Sequence, residues 1–430
     1  GSGIGGLATS VRLACQGYAV ELFEANSYPG GKLSTFSLGK YRFDAGPSLF
    51  TMPHFVTELF ELSGEHPKDH FTYKKKEIAC RYFWKDGTRL TAYTDRSQLL
   101  HEIQTQLNVD PQRVLNYLER AQKKFERTQS LFLEQSLHKL KTYLSKDTLN
   151  GILHFRSFEI GKSLHEVNRQ QLQEPHLVQM YDRYATYNGS SPYQTPGIMT
   201  LVQHLEQHYG TFIPSKGMVD ISESIYQLAL RKGVQFHFDS KVSKILVENK
   251  KAIGVVANEK TYFSDVVVSN MDVVPTYRKL LSGQPQPEKI LNQERSSSAV
   301  IFYWGIRKSF KNLDLHNIFF SDDYKEEFAS IFLHKKLFHD PTIYVNITSK
   351  DVQTDAPEGC ENWFVMINAP HDSGQDWEEE VNTLRKHVLQ KLKQILKEDI
   401  APLIEQEHVM TPPIIEQNTQ SYKGALYGAS

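Results

Sequence analysis

The chain has 430 residues, which is more than one compact hydrophobic core usually supports, so its length favours two domains. It carries 49 Lys and Arg residues against 50 Asp and Glu residues, and this balance argues against a nucleic-acid partner because such binding needs an excess of positive charge on one face. The three cysteines are widely spaced and suggest neither a disulfide framework nor a zinc site, which favours a reducing compartment, and no stretch has the roughly 18 uncharged apolar residues of a membrane span.

The first residues, GSGIGGLATS, place Gly1, Gly3 and Gly6 at the G-x-G-x-x-G spacing. In this pattern one glycine makes a tight turn, one lets the backbone approach a pyrophosphate and one lets a helix pack on a strand. The next residues predict a helix with one apolar face that ends at Gly17, followed by a buried strand over AVELFE. The opening therefore predicts a dinucleotide-binding turn.

An acidic residue stands at the end of that strand. Glu24 follows Gly6 by 18 positions, close to the separation of about 20 expected of a carboxylate that binds an adenosine ribose. The alternative is a surface glutamate beside an ordinary glycine-rich turn. A carboxylate here also disfavours the 2′-phosphate of NADP.

Two further turns follow closely. PGGK at 29–32 is one, and a short strand predicted over 41–44 enters the second, at Gly46 and Pro47. Two more sites where backbone is exposed favour a long cofactor, and they indicate FAD rather than NAD.

The sequence pattern then changes at about Lys74. IACRYFW and TRLTAY predict a hairpin, and a long helical region is predicted over 96–158. The leucines of its second half alternate with lysines, which fits a helix that faces the core or, alternatively, a basic amphipathic segment on a bilayer surface. These leucines are Leu131, Leu133, Leu137, Leu140 and Leu144.

The alternation of helix and strand returns later in the chain. A helix is predicted over 218–232, strands over 234–238 and around the turn at 248–251, and a buried strand over 265–269. The segment 276–405 then leaves this pattern for a second time. It contains the strand-like SAVIFYWGI, TIYVNIT and NWFVMINA and an amphipathic helix over 377–397. We therefore assign 1–73, 215–275 and 406–430 to a cofactor domain, and 74–214 and 276–405 to a substrate domain.

Two histidines have the spacing of a metal site on a helix. His204 and His208 stand four residues apart, but the H-E-x-x-H pattern and a third ligand are missing. We predict no metal.

Six ordered segments and one acidic residue closely resemble the bacterial carotenoid desaturases, the phytoene desaturase family of FAD-dependent oxidoreductases. They are GSGIGG with Glu24 beyond it, YPGGK, YRFDAGPS, YNGSSPYQTPGIMTL, VVVSNMDVVPTY and SYKGALYG. Within the family, DRYATYNGSSPYQTPG is more similar to the hydroxycarotenoid 3,4-desaturase branch. The resemblance implies a strand before Gly1 and a glycine-rich FAD segment after Ser430, so we expect the gene product to extend beyond both ends.

The resemblance implies an α/β fold with a discontinuous Rossmann-type FAD-binding domain and a mixed α+β substrate domain that holds a hydrophobic tunnel. It implies that Gly1, Gly3 and Gly6 cradle the FAD pyrophosphate, Glu24 the adenosine ribose, Gly31 and Lys32 the phosphates or ribityl chain, Gly46 and Pro47 the isoalloxazine, and Val242 the adenine through its backbone. For Lys32 the alternative is a solvated cation in a turn.

Desaturation removes a hydride and a proton from a C–C bond, and FAD accepts the hydride. We expect Asp182 to be the proton acceptor and Arg183 to tune it; the alternative is a structural ion pair. The implied carotenoid is insoluble in water, so we expect peripheral association with the cytoplasmic side of a membrane, with 130–158 as the contact. The sequence does not identify the electron acceptor, for which oxygen and a quinone are the two options. Phytoene desaturation, carotenoid isomerisation or saturation, and non-enzymatic isoprenoid binding remain as alternatives.

Overall fold

The computed structural model describes residues 1–129 and 158–429. The five leucines of the predicted amphipathic segment lie outside these residues. The helices of eight or more residues in the described part are α1 (Ile4–Cys15), α2 (His54–Leu62), α3 (Arg96–Leu107), α4 (Pro111–Gln129), α5 (Leu164–Leu172), α6 (Pro175–Asp182), α7 (Val219–Arg231), α8 (Tyr324–Phe332), α9 (Trp377–Leu396) and α10 (Pro412–Thr419). Shorter helical segments are Pro67–Asp69, Arg183–Asn188, Gly197–Val202, Leu205–Tyr209, Val273–Pro275, Thr276–Leu280, Glu288–Leu291, Thr348–Lys350, Gln353–Asp355, Ala401–Leu403 and Tyr422–Gly424.

The strands of the same residues are β1 (Glu21–Phe23), β2 (Thr35–Leu38), β3 (Tyr41–Asp44), β4 (Tyr73–Lys75), β5 (Ile78–Phe83), β6 (Arg89–Tyr93), β7 (Phe212–Pro214), β8 (Gln235–His237), β9 (Val242–Glu248), β10 (Lys251–Ala257), β11 (Lys260–Phe263), β12 (Ser298–Ile306), β13 (His316–Phe319), β14 (Ile343–Asn346), β15 (Glu361–Ala369) and β16 (Ile404–Met410).

The opening of the chain folds as the sequence predicts. Helix α1 buries Leu7 and Val11 completely, and Gly17 ends the turn after it with φ +88°, a conformation that favours glycine. Strand β1 then pairs in parallel with β8, with Leu22 opposite Phe236. Helix α7 packs against α1 and leads into β8, so the two distant stretches form one α/β unit.

The largest sheet among the described residues, called the large sheet below, has the order β16-β12-β15-β14-β13-β5-β6. All neighbours are antiparallel except β13 and β5. Strand β12 is buried along its whole length, so side chains on both of its faces are covered. Phe302 and Trp304 pack with Leu384 on α9. The alternate residue Tyr303 packs with the β2–β3 hairpin, which places this face of the sheet next to the cofactor turns.

The predicted helical region over 96–158 is helical over 96–129 apart from 108–110, where Asn108 is left-handed with φ +53° and Pro111 starts α4. The strand predicted over 265–269 is wrong. No strand forms over 265–269: the described residues provide no ladder partner for it, and Val266 and Val268 are 65% and 55% exposed. The domain boundary placed at 406 falls inside β16, which is hydrogen-bonded to β12, so this part of the chain stays with the large sheet to Met410.

In the described residues, none of the helices combines the length and the hydropathy needed to cross a bilayer.

Asp44, at the end of β3, fastens the start of α7. Its carboxylate accepts hydrogen bonds from the backbone N–H groups of Met218, at 2.7 Å, and Val219, at 3.2 Å, and from Arg42 at 2.7 Å. A buried carboxylate at a helix N-terminus satisfies donors that have no partner within the helix.

We expect Asp44→Ala to lower the free energy of unfolding by about 2 to 3 kcal/mol, because charged hydrogen bonds to buried donors are lost. Urea unfolding measures this value. Glu223→Ala, on the exposed face of the same helix, is the control and should change it by less than about 0.5 kcal/mol. Equal effects of the two substitutions would contradict the assignment.

Candidate cofactor and substrate site

The glycine turns at the start of the chain and at 29–32 contact each other through their backbones. The N–H of Gly30 donates to the carbonyl oxygen of Ser2 at 2.8 Å, and Gly3 and Gly30 form a parallel bridge. A Cβ atom at Gly6 would lie 2.0 Å from the carbonyl oxygen of Gly1. Only glycine fits at position 6, as the predicted phosphate-binding turn requires.

Glu24 reaches back to this turn from the end of β1. Its carboxylate accepts hydrogen bonds from the N–H of Ser2 at 2.7 Å, from the hydroxyl of Ser2 at 2.9 Å and from the N–H of Asn26 at 2.9 Å, and the residue is 7% exposed. The structure thus brings together the acid and the glycine turn that the sequence linked. Binding of a ribose by Glu24 remains a prediction.

The turn at Gly46 and the turn at 29–32 also approach closely. A Cβ atom at Gly46 would lie 1.9 Å from the carbonyl oxygen of Lys32, and one at Gly31 would lie 3.1 Å from the Cα of Gly3. Lys32 donates to the carbonyl oxygen of Leu426 at 2.8 Å, and burial lowers the pKa of Lys32. Bare backbone thus forms a continuous path from the first turn to the third, and these residues fit an elongated cofactor such as FAD.

A cavity of about 450 Å³ begins at the later turns and extends over the large sheet. Gly31, Lys32, Gly46 and Pro47 form part of its wall, whereas the first turn, Glu24 and Val242 lie outside it. Val242 is the first residue of β9 and pairs with Ala257. The apolar part of the wall includes Ile301, Ile318, Phe364, Met366 and Met410.

The predicted partnership of Asp182 and Arg183 is wrong. The carboxylate of Asp182 is hydrogen-bonded to His165 at 2.6 Å and accepts from Asn168 at 2.8 Å, and it is not part of the cavity wall. Burial raises the pKa of Asp182, and these two neighbours oppose the shift. Asp182 is therefore a structural group of the α5–α6 pair and is not placed to take a proton from a molecule in the cavity.

Arg183 does line the cavity, and its partner is Glu206, a residue absent from our sequence-based candidates. The guanidinium donates to Glu206 at 2.6 Å and to the hydroxyl of Tyr82 at 2.8 Å. Tyr184, at 2.7 Å, and Tyr187 also donate to the Glu206 carboxylate. Burial opposes the charge on Glu206, but Arg183 and these hydroxyls hold its pKa below the usual range.

His316 is a second wall residue that the sequence did not reveal. It is 1% exposed, and its Nδ1 is hydrogen-bonded to the hydroxyl of Tyr344 at 2.7 Å. Tyr344 is in turn hydrogen-bonded to the hydroxyl of Ser48 at 2.8 Å, two residues after Gly46. Burial lowers the pKa of His316 to about 4. The histidine stands alone in the sequence stretch LDLHNIFF, so no motif pointed to it.

His204 and His208 stack with ring centroids 4.5 Å apart, and burial lowers the pKa of His204 to about 4. Within the described ranges, no three His, Cys, Asp or Glu side chains come together in a group that could hold a metal ion.

The sequence matches the family described as flavin containing amine oxidoreductase over residues 4–402. It is 51% identical over 430 residues to a 1-hydroxycarotenoid 3,4-desaturase from a Flavobacterium species, an alignment that covers 100% of this chain and 88% of that protein. It is 31% identical over 436 residues to a 4,4'-diapolycopene oxygenase from a Methylomonas species, covering 100% of this chain and 86% of that protein.

Solved structures share the fold. An oxidoreductase from Methanosarcina mazei superimposes with a TM-score of 0.61 at 15% identity, over 96% of this chain and 85% of that chain. The family match and the full-length likeness at 51% identity give the same answer as the glycine turns and the acid at the end of β1. The chain belongs to the flavin containing amine oxidoreductases and, within them, to the carotenoid desaturases, which are FAD-dependent enzymes.

Proposed function

We propose that this enzyme desaturates the C3–C4 bond of a 1-hydroxycarotenoid. The observation that carries the proposal is the 51% identity, along the whole chain, to a relative of that name. The geometry supports it, because an apolar cavity that could take part of a polyene adjoins the turns that fit the cofactor.

We assign FAD to the three glycine turns, whose backbones contact one another. The first turn, with Gly1, Gly3 and Gly6, would hold the pyrophosphate, and Glu24 would hold the ribose. Gly31 and Lys32 would hold the phosphates or the ribityl chain, and Gly46 and Pro47 would lie beside the isoalloxazine, where the cavity begins. Val242 would offer its backbone to the adenine.

Desaturation removes two hydrogens from a C–C single bond, one as a hydride, which bound FAD accepts, and one as a proton. The apolar wall excludes water and orients the polyene. Glu206 is the carboxylate among the described wall residues, but Arg183 and the two tyrosines occupy its oxygens, so it is a weak base that keeps this part of the wall in place. Turnover further requires an acceptor, oxygen or a quinone, that takes up the two electrons and, overall, the two protons removed from the substrate.

We further propose that the protein associates peripherally with the cytoplasmic side of a membrane, because a carotenoid must be taken from a bilayer and returned to it. The contact is assigned from the sequence to the leucine- and lysine-rich residues 130–158.

Gly46→Ala should weaken the binding of FAD. The new Cβ would overlap the carbonyl oxygen of Lys32 and push the two turns apart, so we expect about tenfold weaker FAD binding, which is about 1.4 kcal/mol. The flavin absorbance of the purified protein against added FAD measures this. Gly283→Ala is the control, since a Cβ at Gly283 meets open space. Unchanged FAD affinity in Gly46→Ala would remove Gly46 from the cofactor site.

The FAD-loaded enzyme in liposomes should convert a 1-hydroxycarotenoid to a product with red-shifted absorption, because one more double bond extends the conjugated system. Chromatography and product spectra measure this, with phytoene in a parallel reaction. Conversion of phytoene alone would reassign the enzyme to phytoene desaturation. Isomerised or saturated product, or binding without turnover, would replace desaturation by one of the other two alternatives.

Replacing Leu131, Leu133 and Leu137 together by Ser should weaken cosedimentation with liposomes and leave the FAD content intact, because apolar side chains at the bilayer surface are lost. The matched control replaces three exposed leucines elsewhere, Leu62, Leu230 and Leu333, by Ser. If only the control variant loses cosedimentation, the contact lies outside 130–158.

A further inference from the structure

His316 has a buried polar atom for which the described chain provides no partner. The residue belongs to the cavity wall and is almost completely buried, and its Nε2 makes no hydrogen bond to any described residue. An unpaired buried polar atom lowers stability, so it marks a position where a bound molecule can supply the missing partner.

The neighbours of His316 decide which ring nitrogen carries the proton. The side-chain nitrogen of Asn346 donates to the carbonyl oxygen of Leu315 at 3.0 Å, which fixes the orientation of this amide. The same nitrogen lies 3.2 Å from Nδ1 of His316 and can only donate, while the hydroxyl of Tyr344, 2.7 Å from the same Nδ1, can donate or accept. The arrangement therefore assigns Nδ1 as the acceptor. In a neutral imidazole the proton is then on Nε2.

This tautomer makes His316 a hydrogen-bond donor toward its bound partner and excludes it as a proton acceptor at Nε2. Burial favours the neutral ring and lowers the pKa of His316 to about 4, so the ring is neutral near pH 7. The partner of Nε2 is therefore an acceptor atom with a free lone pair, such as a hydroxyl oxygen. An all-hydrocarbon carotenoid has no such atom.

His316 is linked to the cofactor turns, and the C1 hydroxyl of the proposed substrate is close to the C3–C4 bond that reacts. Tyr344 links His316 to Ser48, which follows Gly46 and Pro47 directly. In a 1-hydroxycarotenoid the carbon that bears the hydroxyl is separated from the C3–C4 bond by C2 alone. A group that binds this hydroxyl must therefore lie close to the place where the C3–C4 bond meets the cofactor.

We propose that the Nε2–H of His316 donates a hydrogen bond to the C1 hydroxyl of the substrate and thereby selects hydroxylated over non-hydroxylated carotenoids. This inference rests on the proposed function and adds the residue that binds the substrate hydroxyl. Three further polar residues of the wall, Arg183, Tyr187 and Glu206, already hydrogen-bond within their own group.

The test compares His316→Phe, which removes the donor, with His316→Gln, whose amide keeps one. The full-length, FAD-loaded proteins are assayed in liposomes with a 1-hydroxycarotenoid and with the carotenoid of the same skeleton that lacks the hydroxyl. We expect His316→Phe to reduce the ratio of the two kcat/KM values about tenfold to hundredfold through the hydroxylated substrate alone, and His316→Gln to keep most of it.

His204→Phe is the matched control, because His204 is also buried and has a lowered pKa but is not part of the cavity wall. It should leave the ratio unchanged. FAD content and the flavin absorption spectrum are recorded for every variant. If His316→Phe slows both substrates equally, or shifts the flavin spectrum with the ratio intact, Nε2 serves the cofactor and the inference is wrong.

The two proposals fail separately. A wild-type enzyme that does not desaturate the hydroxylated carotenoid contradicts the proposed function. Binding of both carotenoids, followed by quenching of protein fluorescence, then still tests the inference. Equal loss of affinity for both carotenoids in His316→Phe would overturn it, and selective loss for the hydroxylated one would support it.

Discussion

The close approach of three backbone turns is the constraint on which the site depends. Gly6 lies against the carbonyl oxygen of Gly1, and Gly46 lies against that of Lys32, at distances where any Cβ would overlap an oxygen atom. The backbone hydrogen bond from Gly30 to Ser2 joins the first turn to the second. Because side chains are excluded, a cofactor can lie against the backbone itself, and the cavity wall can start where the third turn ends.

These turns could be predicted from the sequence because their chemistry is local. A glycine spacing followed by a helix, a strand and an acid describes one βαβ unit, and the contact of Glu24 with the first turn follows from its position at the end of β1. Five strands of the large sheet, β5, β6, β12, β14 and β15, were also recognisable as apolar runs, whereas β13 and β16 were not predicted. Their order was not, because β13 pairs in parallel with β5 across more than 200 residues of chain.

The prediction for Asp182 and Arg183 failed for a geometric reason. Consecutive residues in a helix point in different directions, so neighbours in sequence are not neighbours in the site. Asp182 joins His165 on the preceding helix, whereas Arg183 pairs with Glu206, from a segment 23 residues away. The predicted strand over 265–269 failed differently: its β-branched residues suit a strand, but a strand forms only where another can take its hydrogen bonds.

Two polar parts of the cavity wall differ in their hydrogen bonding, the pair Arg183 and Glu206 on one side and His316 on the other. Arg183 and Glu206 are hydrogen-bonded to each other and to neighbouring tyrosines. They therefore contribute to the shape of the cavity rather than to hydrogen bonding with a substrate. In His316, by contrast, Asn346 fixes the acceptor at Nδ1 and leaves a donor without a partner. In an apolar part of a cavity an unsatisfied donor discriminates strongly, because a ligand without an acceptor leaves it buried and unpaired. The selectivity of this site therefore depends on the missing partner at Nε2 of His316 as much as on the contact that Asn346 makes with Nδ1.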